Sequence, residues 1–227
     1  MDQFKRTKLL FETNEYKTIT NKKILLVGVG GVGGSALESL VRFGFKNITI
    51  IDKDTVDITN LNRQIITNLD NIGQSKVEVA KQRALSINPS INITTINDFL
   101  TKENINILET NYDYIIDACD TITTKIELIK FGINNNIKTI TCMGTGKRLD
   151  PSKIEITTIN KTSYDPVAKI IRKLLRDNLI KDNKLTCIWS SEQPIKTEDN
   201  TVIASNPLVP NTAGIYCVSA ILKDIRK

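Results

Sequence analysis

A glycine-rich segment after a short apolar run carries the strongest chemical signal in the 227-residue sequence. Its glycines are Gly28, Gly30, Gly31, Gly33 and Gly34, and a helical pattern begins within it. Glycine permits a tight turn and lets a phosphate approach the backbone, where the amino-terminal NH groups of the following helix receive the negative charge. The segment therefore predicts a nucleotide site.

Charged residues after the next predicted strand indicate which nucleotide this site would bind. Asp52 stands at the end of that strand, where a carboxylate can accept hydrogen bonds from ribose hydroxyls. Arg63 and Lys76 follow shortly afterwards and suit a triphosphate with its leaving pyrophosphate, because charge-assisted bonds to phosphate are strong. We therefore expect ATP, although the glycine spacing also fits a dinucleotide and the two cations also fit ordinary surface ion pairs.

Asp120 follows a later predicted strand, in the sequence Asp117-Ala-Cys-Asp120. Because parallel sheets place their sites beyond the carboxyl ends of the strands, Asp120 should face the same crevice as Gly30. A carboxylate beside a triphosphate is a natural ligand for Mg²⁺ through water. The alternative role for Asp120 is to cap the helix that follows, and one residue can do both.

The sequence contains no histidine and four cysteines, which are Cys119, Cys142, Cys187 and Cys217. Without histidine, the Ser-His-Asp and Cys-His nucleophile systems and His-bearing zinc sites are excluded. The cysteines are far apart, so the Cys-x-x-Cys clips of structural zinc sites are missing and no structural zinc is expected. The chemistry must use carboxylates, lysine, arginine, cysteine, backbone dipoles or a borrowed cofactor.

The elements that must position these residues alternate between strands and helices. Strands are predicted at 23–29, 47–51, 114–118 and 137–141, and helices at 32–43, 75–87 and 123–134. Strands that are apolar on both faces, each followed by a helix, indicate an α/β fold with a Rossmann-like, doubly wound, mostly parallel sheet.

The pattern changes after residue 150. A strand at 153–159, an amphipathic helix at 165–177, a strand at 184–189, a loop with three prolines at 192–210 and a closing helix at 211–225 are predicted. We expect one domain over 1–227, with a nucleotide-binding core at 1–150 and a carboxyl-terminal α/β extension at 151–227.

Together the motifs resemble the E1-like (ThiF/MoeB/HesA) adenylyltransferase superfamily. The similar motifs are Gly28-x-Gly30-Gly31-x-Gly33, Asp52-x-Asp54, Asn60-x-x-Arg63-Gln64, Gly73-x-x-Lys76 and Asp120. The resemblance implies binding of ATP and Mg²⁺, adenylation of a carboxylate, and a homodimer. It implies that Asp52 holds the ribose and Asp120 the metal. The phosphates would be held by Asn60, Arg63 and Lys76.

Within this motif set, the candidate catalytic residues are Arg63, Lys76 and Asp120. Asp54 and Gln64 complete the candidate nucleotide-binding set. The superfamily also uses an arginine from near the partner's amino terminus, which is here either Arg6 or its replacement Lys8.

The carboxyl-terminal half is similar to the tRNA threonylcarbamoyladenosine dehydratase (TcdA/CsdL) branch, through the segments 143–151, 161–166 and 187–192. Sulfur-carrier activators of the superfamily usually have paired Cys-x-x-Cys motifs, and their absence favours the tRNA branch. The branch implies ATP-dependent dehydration of N6-threonylcarbamoyladenosine at tRNA position 37. ATP activates its carboxylate, and an internal nitrogen then closes a cyclic hydantoin, so no enzyme nucleophile is required.

The helix predicted at 165–177 has one basic face, which is the best candidate for contact with tRNA. Its cations, spaced i, i+3, i+4 and i+7, are Lys169, Arg172, Lys173 and Arg176. We expect Lys147 and Arg148 to add to this patch. The 31 basic residues exceed the 25 acidic ones, which favours a polyanionic partner. A merely solvated amphipathic helix is the other interpretation.

Other function classes stay open at this point. A ThiF/MoeB-type adenylyltransferase would activate the carboxyl terminus of a small ubiquitin-like sulfur-carrier protein. A nicotinamide-dependent oxidoreductase or NAD sensor would share the glycine segment, and a scaffold would bind ATP without turnover. A covalent role for Cys187 or Cys217 is less favoured than a structural one, because the sequence shows no neighbouring base.

The expected partners are tRNA and a second copy of the chain, with a sulfur-relay or redox protein as a further candidate. The first twelve residues are charged and have no apolar signal core, and no apolar run approaches the length of a membrane span. We therefore expect a cytoplasmic protein that is not inserted into a membrane.

Overall fold

The computed structural model describes residues 2–177, 180, 185–199 and 201–226. Within these residues the strands are β1 (Lys23–Val27), β2 (Asn47–Ile51), β3 (Asn92–Ile96), β4 (Tyr114–Asp117), β5 (Lys138–Cys142), β6 (Ile154–Thr158) and β7 (Thr186–Ser190). The helices are α1 (Lys5–Lys8), α2 (Thr13–Thr20), α3 (Gly31–Phe43), α4 (Lys76–Ile87), α5 (Ile122–Asn134), α6 (Pro166–Asp177) and α7 (Leu208–Ile225).

The strands form one sheet in the order β3-β2-β1-β4-β5-β7-β6. All of them run parallel except β6, which pairs antiparallel with β7 at the edge. Because the strand order reverses around β1, the carboxyl ends of β1 and β4 open a crevice of the kind that binds ligands in doubly wound sheets. The predicted α/β, Rossmann-like, mostly parallel fold is confirmed.

Apolar side chains cover both faces of the sheet. Ile24 and Leu26 of β1 belong to one core with α3, α4 and α7. The alternate residues Leu25 and Val27 pack on the other face with Leu128 of α5. A third cluster joins α6 to β7. Burial of both faces explains why the central strands are almost continuously apolar.

The carboxyl-terminal extension is joined to the core in two ways. β7 continues the sheet beside β5, and α7 returns to pack on α3. A Cβ at Gly214 of α7 would collide with the carbonyl oxygen of Val32, so the two helices are as close as their backbones allow. The division of a single domain at residue 150 stays a prediction.

Several boundaries and elements differ from the sequence predictions. β3, α1 and α2 were not predicted, and α7 begins at Leu208 rather than at 211. β1 ends at Val27 because Gly28 turns the chain with φ +86°. The start of the strand predicted at 184, and residue 200 of the predicted loop, lie outside the described residues. No helix in the described ranges is long and apolar enough to cross a membrane.

A buried ion pair fastens β4, β5 and α5 together. Lys125 Nζ lies 3.1 Å from Asp117 Oδ1 and donates to the carbonyl oxygen of Cys142 at 2.8 Å. Thr141 donates its hydroxyl proton to the other carboxylate oxygen at 2.5 Å. Burial lowers the pKa of Lys125, but the Asp117 carboxylate more than offsets this and holds it above its ordinary value. The ammonium is therefore charged inside the fold, where it fixes the carboxyl ends of two neighbouring strands.

Candidate functional site

The chain can turn directly from β1 into α3 because two residues of the glycine segment lack a side chain. At both positions a side chain would collide with neighbouring backbone. A Cβ at Gly28 would lie 2.8 Å from the carbonyl oxygen of Ala118, beyond the end of β4. A Cβ at Gly33 would collide with the carbonyl oxygen of Gly28. The amino terminus of α3 can therefore begin immediately above the end of β1, where its NH groups are able to bind an anion.

Asp52 is half-buried and joins the end of β2 to the glycine segment. Its Oδ2 accepts a hydrogen bond from the NH of Val29 at 2.8 Å, and its Oδ1 accepts one from the NH of Asp54 at 2.9 Å. Each carboxylate oxygen can accept a second bond. The residue is thus held in place and can also receive a ribose hydroxyl.

Lys76 is buried at the start of α4, with only 6% of its surface exposed. Its Nζ lies 2.9 Å from Asp54 Oδ2, and its NH donates to the carbonyl oxygen of Asp54 at 2.9 Å. Lys76 therefore forms an ion pair in which its own side chain is buried while the Asp54 side chain is 54% exposed. In this structure the Asp54 carboxylate serves as the partner of Lys76.

Arg63 and Gln64 pack against the glycine segment. A Cβ at Gly31 would lie 3.4 Å from Arg63 Cγ, and one at Gly30 would lie 3.7 Å from Gln64 Nε2. Arg63 Nη1 donates to the carbonyl oxygen of Thr59 at 2.9 Å. Gln64 is only 4% exposed, and its Oε1 finds no hydrogen-bond partner among the described residues. An orphaned buried polar atom beside the glycines is consistent with a ligand there.

Asn60 is buried in the short 3-10 turn Ile58–Asn60 that precedes Arg63. Its Oδ1 accepts a hydrogen bond from the NH of Asp57 at 3.2 Å, while Asp57 Oδ1 accepts one from the NH of Thr59 at 2.8 Å. This reciprocal capping holds the turn and sets the direction in which Arg63 leaves it.

Asp120 lies two residues beyond Ala118, whose carbonyl group contacts Gly28. Its carboxylate is exposed and accepts a weak hydrogen bond from the Thr121 hydroxyl at 3.3 Å. α5 begins after Thr121 and no side chain caps it, so Asp120 is not the helix cap. No group of three or more Cys, Asp or Glu side chains that could hold a metal ion occurs in the described part of the chain.

The basic face of α6 is only partly as predicted. Lys169, Lys173 and Arg176 are exposed. Arg172, by contrast, is half-buried, and its Nη1 donates to the carbonyl oxygen of Thr162 at 3.0 Å. It holds the turn before α6, so the exposed face has three cations rather than four.

Arg148 is not part of the basic patch, and this expectation is wrong. The residue is 2% exposed, and its Nη2 lies 3.0 Å from Asp165 Oδ2. Its Nε donates to the carbonyl oxygen of Glu192 at 3.1 Å, and it also donates to that of Gly144. Sequence reasoning missed this junction of three segments, because a buried arginine in a polar loop has no local signal.

The cysteines are poor nucleophiles in this fold. Cys187 and Cys217 are fully buried. A hydrogen bond with Cys142 and burial raise the pKa of the Cys217 thiol well above its ordinary value. Burial, together with the Asp117 carboxylate, does the same for the pKa of Cys119. The Cys119 and Cys217 thiols therefore stay protonated, and the burial of Cys187 likewise favours a structural role.

The family model of the ThiF family matches residues 4–206, which include every residue of the glycine segment, the charged motifs and α6. This chain belongs to the ThiF family. The resemblance to the E1-like superfamily is thereby confirmed.

Comparison with individual proteins shows which members of the ThiF family this chain is similar to. The chain is 36% identical over 246 aligned positions to a tRNA threonylcarbamoyladenosine dehydratase of Bacillus subtilis (strain 168), covering 99% of this chain and 96% of that protein. Crystal structures of the Escherichia coli tRNA N6-threonylcarbamoyladenosine dehydratase, TcdA, in complex with AMP and with ATP are each 34% identical, with TM-scores of 0.92. They align with 99% of this chain, which covers 94% and 93% of theirs.

Two neighbouring glycines of α3 test whether the glycine segment is sterically required. Gly33→Ala should lower the free energy of unfolding by about 2 kcal/mol or more, because its methyl group collides with the Gly28 carbonyl. Gly34→Ala is the matched control, since its Cβ would meet Ile66 at an ordinary 3.5 Å. It should stabilise the helix by about 0.5–1 kcal/mol. Urea unfolding measures both, and equal midpoints would contradict the assigned packing.

Proposed function

We propose that this ThiF-family chain is an ATP-dependent tRNA threonylcarbamoyladenosine dehydratase. The observation that carries the proposal is the match over almost the whole chain to the ATP-bound E. coli TcdA structure. It includes the extension as well as the nucleotide core. The reaction uses ATP and tRNA, so we place it in the cytoplasm.

The proposed chemistry has two steps. The carboxylate of the threonylcarbamoyl group attacks the α-phosphorus of ATP, forming an acyl-adenylate and releasing pyrophosphate. An internal nitrogen of the same group then attacks the activated carbonyl carbon, loses its proton and expels AMP. The hydantoin ring closes and the nucleoside has lost one water, whose oxygen leaves in AMP. Because both reacting groups belong to one substrate, proximity replaces an enzyme nucleophile.

Each site residue would bind a different part of ATP. The glycine segment receives phosphate oxygens, and Asp52 accepts from the ribose. Arg63 and Lys76 stabilise the charge that develops on the phosphates, with Asn60 supporting them. Asp120 would hold Mg²⁺ together with the phosphate oxygens, since Mg²⁺ in such sites needs only one or two protein carboxylates.

Removal of a site charge should strongly slow turnover without unfolding the protein. Lys76→Met and Asp120→Asn should each lower the dehydration rate by about 100-fold or more, as losses of charge stabilisation at a transition state do. The assay incubates the protein with ATP, Mg²⁺ and tRNA that contains threonylcarbamoyladenosine, and mass spectrometry follows the loss of one water from that nucleoside. Lys81→Met, on the same helix as Lys76, is the control and should keep wild-type activity.

A pyrophosphate-exchange assay separates the proposal from the carrier-activator alternative. Pyrophosphate exchange that is stimulated by the carboxyl-terminal peptide of a small ubiquitin-like protein, and not by tRNA, would reject the dehydratase in favour of that alternative. ATP binding without any turnover would indicate a scaffold.

We propose that the exposed cations of α6 contact tRNA phosphates. Neutralising Lys169, Lys173 and Arg176 with glutamine should weaken tRNA binding and reduce the slope of log K against log salt by roughly 2–3, because each lost phosphate contact removes about 0.7–0.9. Fluorescence anisotropy at several salt concentrations measures the slope.

A matched triple variant controls for net charge. Lys46 directly precedes β2, Lys138 begins β5, and Lys17 lies in the last turn of α2, so none of the three belongs to α6. Their replacement by glutamine should leave the slope within about 0.5 of the wild-type value, because they contact no phosphate. If both triple variants and the wild type had the same slope of log K against log salt, the proposed contact between α6 and tRNA phosphates would be rejected.

We also propose a homodimer in which Arg6 of one copy enters the site of the other. Arg6 is exposed on α1, whereas Lys8 is ion-paired with Asp2 at 2.7 Å. Large apolar side chains are exposed near the nucleotide motifs and would suit a second copy. They are Ile58, Ile65, Leu69 and Ile72.

Mixing two inactive variants tests this arrangement. Arg6→Ala and Lys76→Met should each be inactive alone, but a re-equilibrated mixture should recover about a quarter of wild-type activity, since one site in each mixed dimer is intact. Lys8→Met is the control and should stay active. No recovery in a mixture that sedimentation shows to be dimeric would contradict a contribution from Arg6 in trans.

A further inference from the structure

An exposed tyrosine stands in an unusual backbone conformation just before α6. Tyr164 has φ +53° and is 64% exposed. Among the aromatic side chains that the structure describes, it alone is exposed. A bulky residue in the left-handed region is unfavourable and persists only where the surrounding structure determines it.

Buried bonds hold the chain on the carboxyl side of Tyr164. Asp165 is buried, and its Oδ1 accepts from the NH of Ala168 at 2.9 Å, which caps α6. Its Oδ2 pairs with the buried guanidinium of Arg148 at 3.0 Å. Because this pair is inaccessible to water, the position of Asp165 is closely determined.

Other bonds hold the amino side. Trp189 Nε1 donates to the carbonyl oxygen of Ser163 at 2.9 Å, and the hydroxyl of Thr162 donates to the carbonyl oxygen of Ile159 at 2.8 Å. Arg172 donates to the carbonyl oxygen of Thr162 at 3.0 Å. The turn is therefore anchored on both sides while the tyrosine ring projects outward.

The anchored turn lies at the edge of the sheet that carries the nucleotide site. Asp165 Oδ2 is 3.6 Å from the position that a Cβ of Gly144 would take. Gly144 follows the carboxyl end of β5, which pairs with β4, the strand that leads to Asp120. Tyr164 thus belongs to the side of the molecule from which a large substrate would enter the crevice. Exposed lysines flank it, with Lys169 on the first turn of α6.

We propose that Tyr164 stacks on an unpaired nucleobase of the RNA substrate. This inference rests on the proposed function and extends it to a recognition residue. A nucleoside in an RNA loop must be extruded from the base stack to reach the crevice. The neighbouring bases are then unstacked, and an aromatic side chain can stack on one of them. A tyrosine ring held in one place by its backbone offers such a face, and the nearby lysines attract the adjoining phosphates.

Two substitutions separate the ring from its backbone and its hydroxyl. Tyr164→Asn removes the ring while keeping a residue that tolerates the left-handed region. Tyr164→Phe keeps the ring and loses only the hydroxyl. The probe is an RNA hairpin with an anticodon-loop sequence and 2-aminopurine beside the position of the substrate nucleoside.

The ring should govern hairpin binding without changing its salt dependence. Tyr164→Phe should bind within about twofold of the wild type and alter 2-aminopurine fluorescence in the same way, whereas Tyr164→Asn should bind about tenfold more weakly and lose the fluorescence change. Because stacking involves no phosphate, both variants should keep the wild-type salt slope. Thermal unfolding checks that Tyr164→Asn is folded.

Each contrary result overturns a defined statement. Wild-type affinity and fluorescence change in Tyr164→Asn would overturn the stacking proposal, and so would an equal loss in both variants, which would indicate the hydroxyl. If Tyr164→Asn changed the sedimentation coefficient but not hairpin binding, the Tyr164 ring would be assigned to a contact between copies of the chain. Absence of hairpin binding by the wild type also rejects stacking. The proposed function is tested separately, by the dehydration assay with the wild-type protein. If that assay failed while hairpin binding still depended on the Tyr164 ring, the proposed function would be rejected and the stacking proposal would stand.

Discussion

The site depends on a steric constraint between two glycines. Gly33 lies against the carbonyl oxygen of Gly28 so closely that no side chain fits, and this contact lets α3 start directly above β1. The same turn exposes the NH of Val29 to Asp52 and brings Gly28 against the backbone beyond β4. If the turn were wider, the Asp52 carboxylate, the helix terminus and the strand that leads to Asp120 would no longer meet in one crevice.

Two buried ion pairs extend this arrangement along the same edge of the sheet. Asp117 and Lys125 join β4 to β5, and Arg148 and Asp165 join the loop after β5 to α6. Buried pairs contribute little net stability, because desolvation offsets most of their attraction, but each geometry is specific. In this fold the two ion pairs therefore serve to hold the segments they join in defined positions. They fix the end of β4, the loop after β5 and the start of α6 relative to one another.

Local patterns were sufficient for the sheet centre and the glycine segment, and insufficient elsewhere. β1 and β2 are mostly apolar and were predicted, whereas β3, at the edge of the sheet, has one exposed and one half-buried threonine and a weak pattern. Helical spacing placed Arg172 on a basic face, but its bonds to distant carbonyls cannot be inferred from spacing. The burial of Lys76 depends likewise on a partner 22 residues away. Contacts between distant segments determined which charged residues are exposed.

The missing histidine acquires a physical meaning in this site. With every cysteine thiol described either buried or half-buried, and with the pKa of Cys119 and Cys217 raised, the fold offers neither an imidazole base nor a ready thiolate. A carboxylate that reacts with ATP is already ionised at neutral pH, so it needs no base, only cations that stabilise the phosphate charge. In the proposed reaction, the side chains of Lys76 and Arg63 would provide those cations. The second step likewise needs no enzyme nucleophile, because the substrate provides its own.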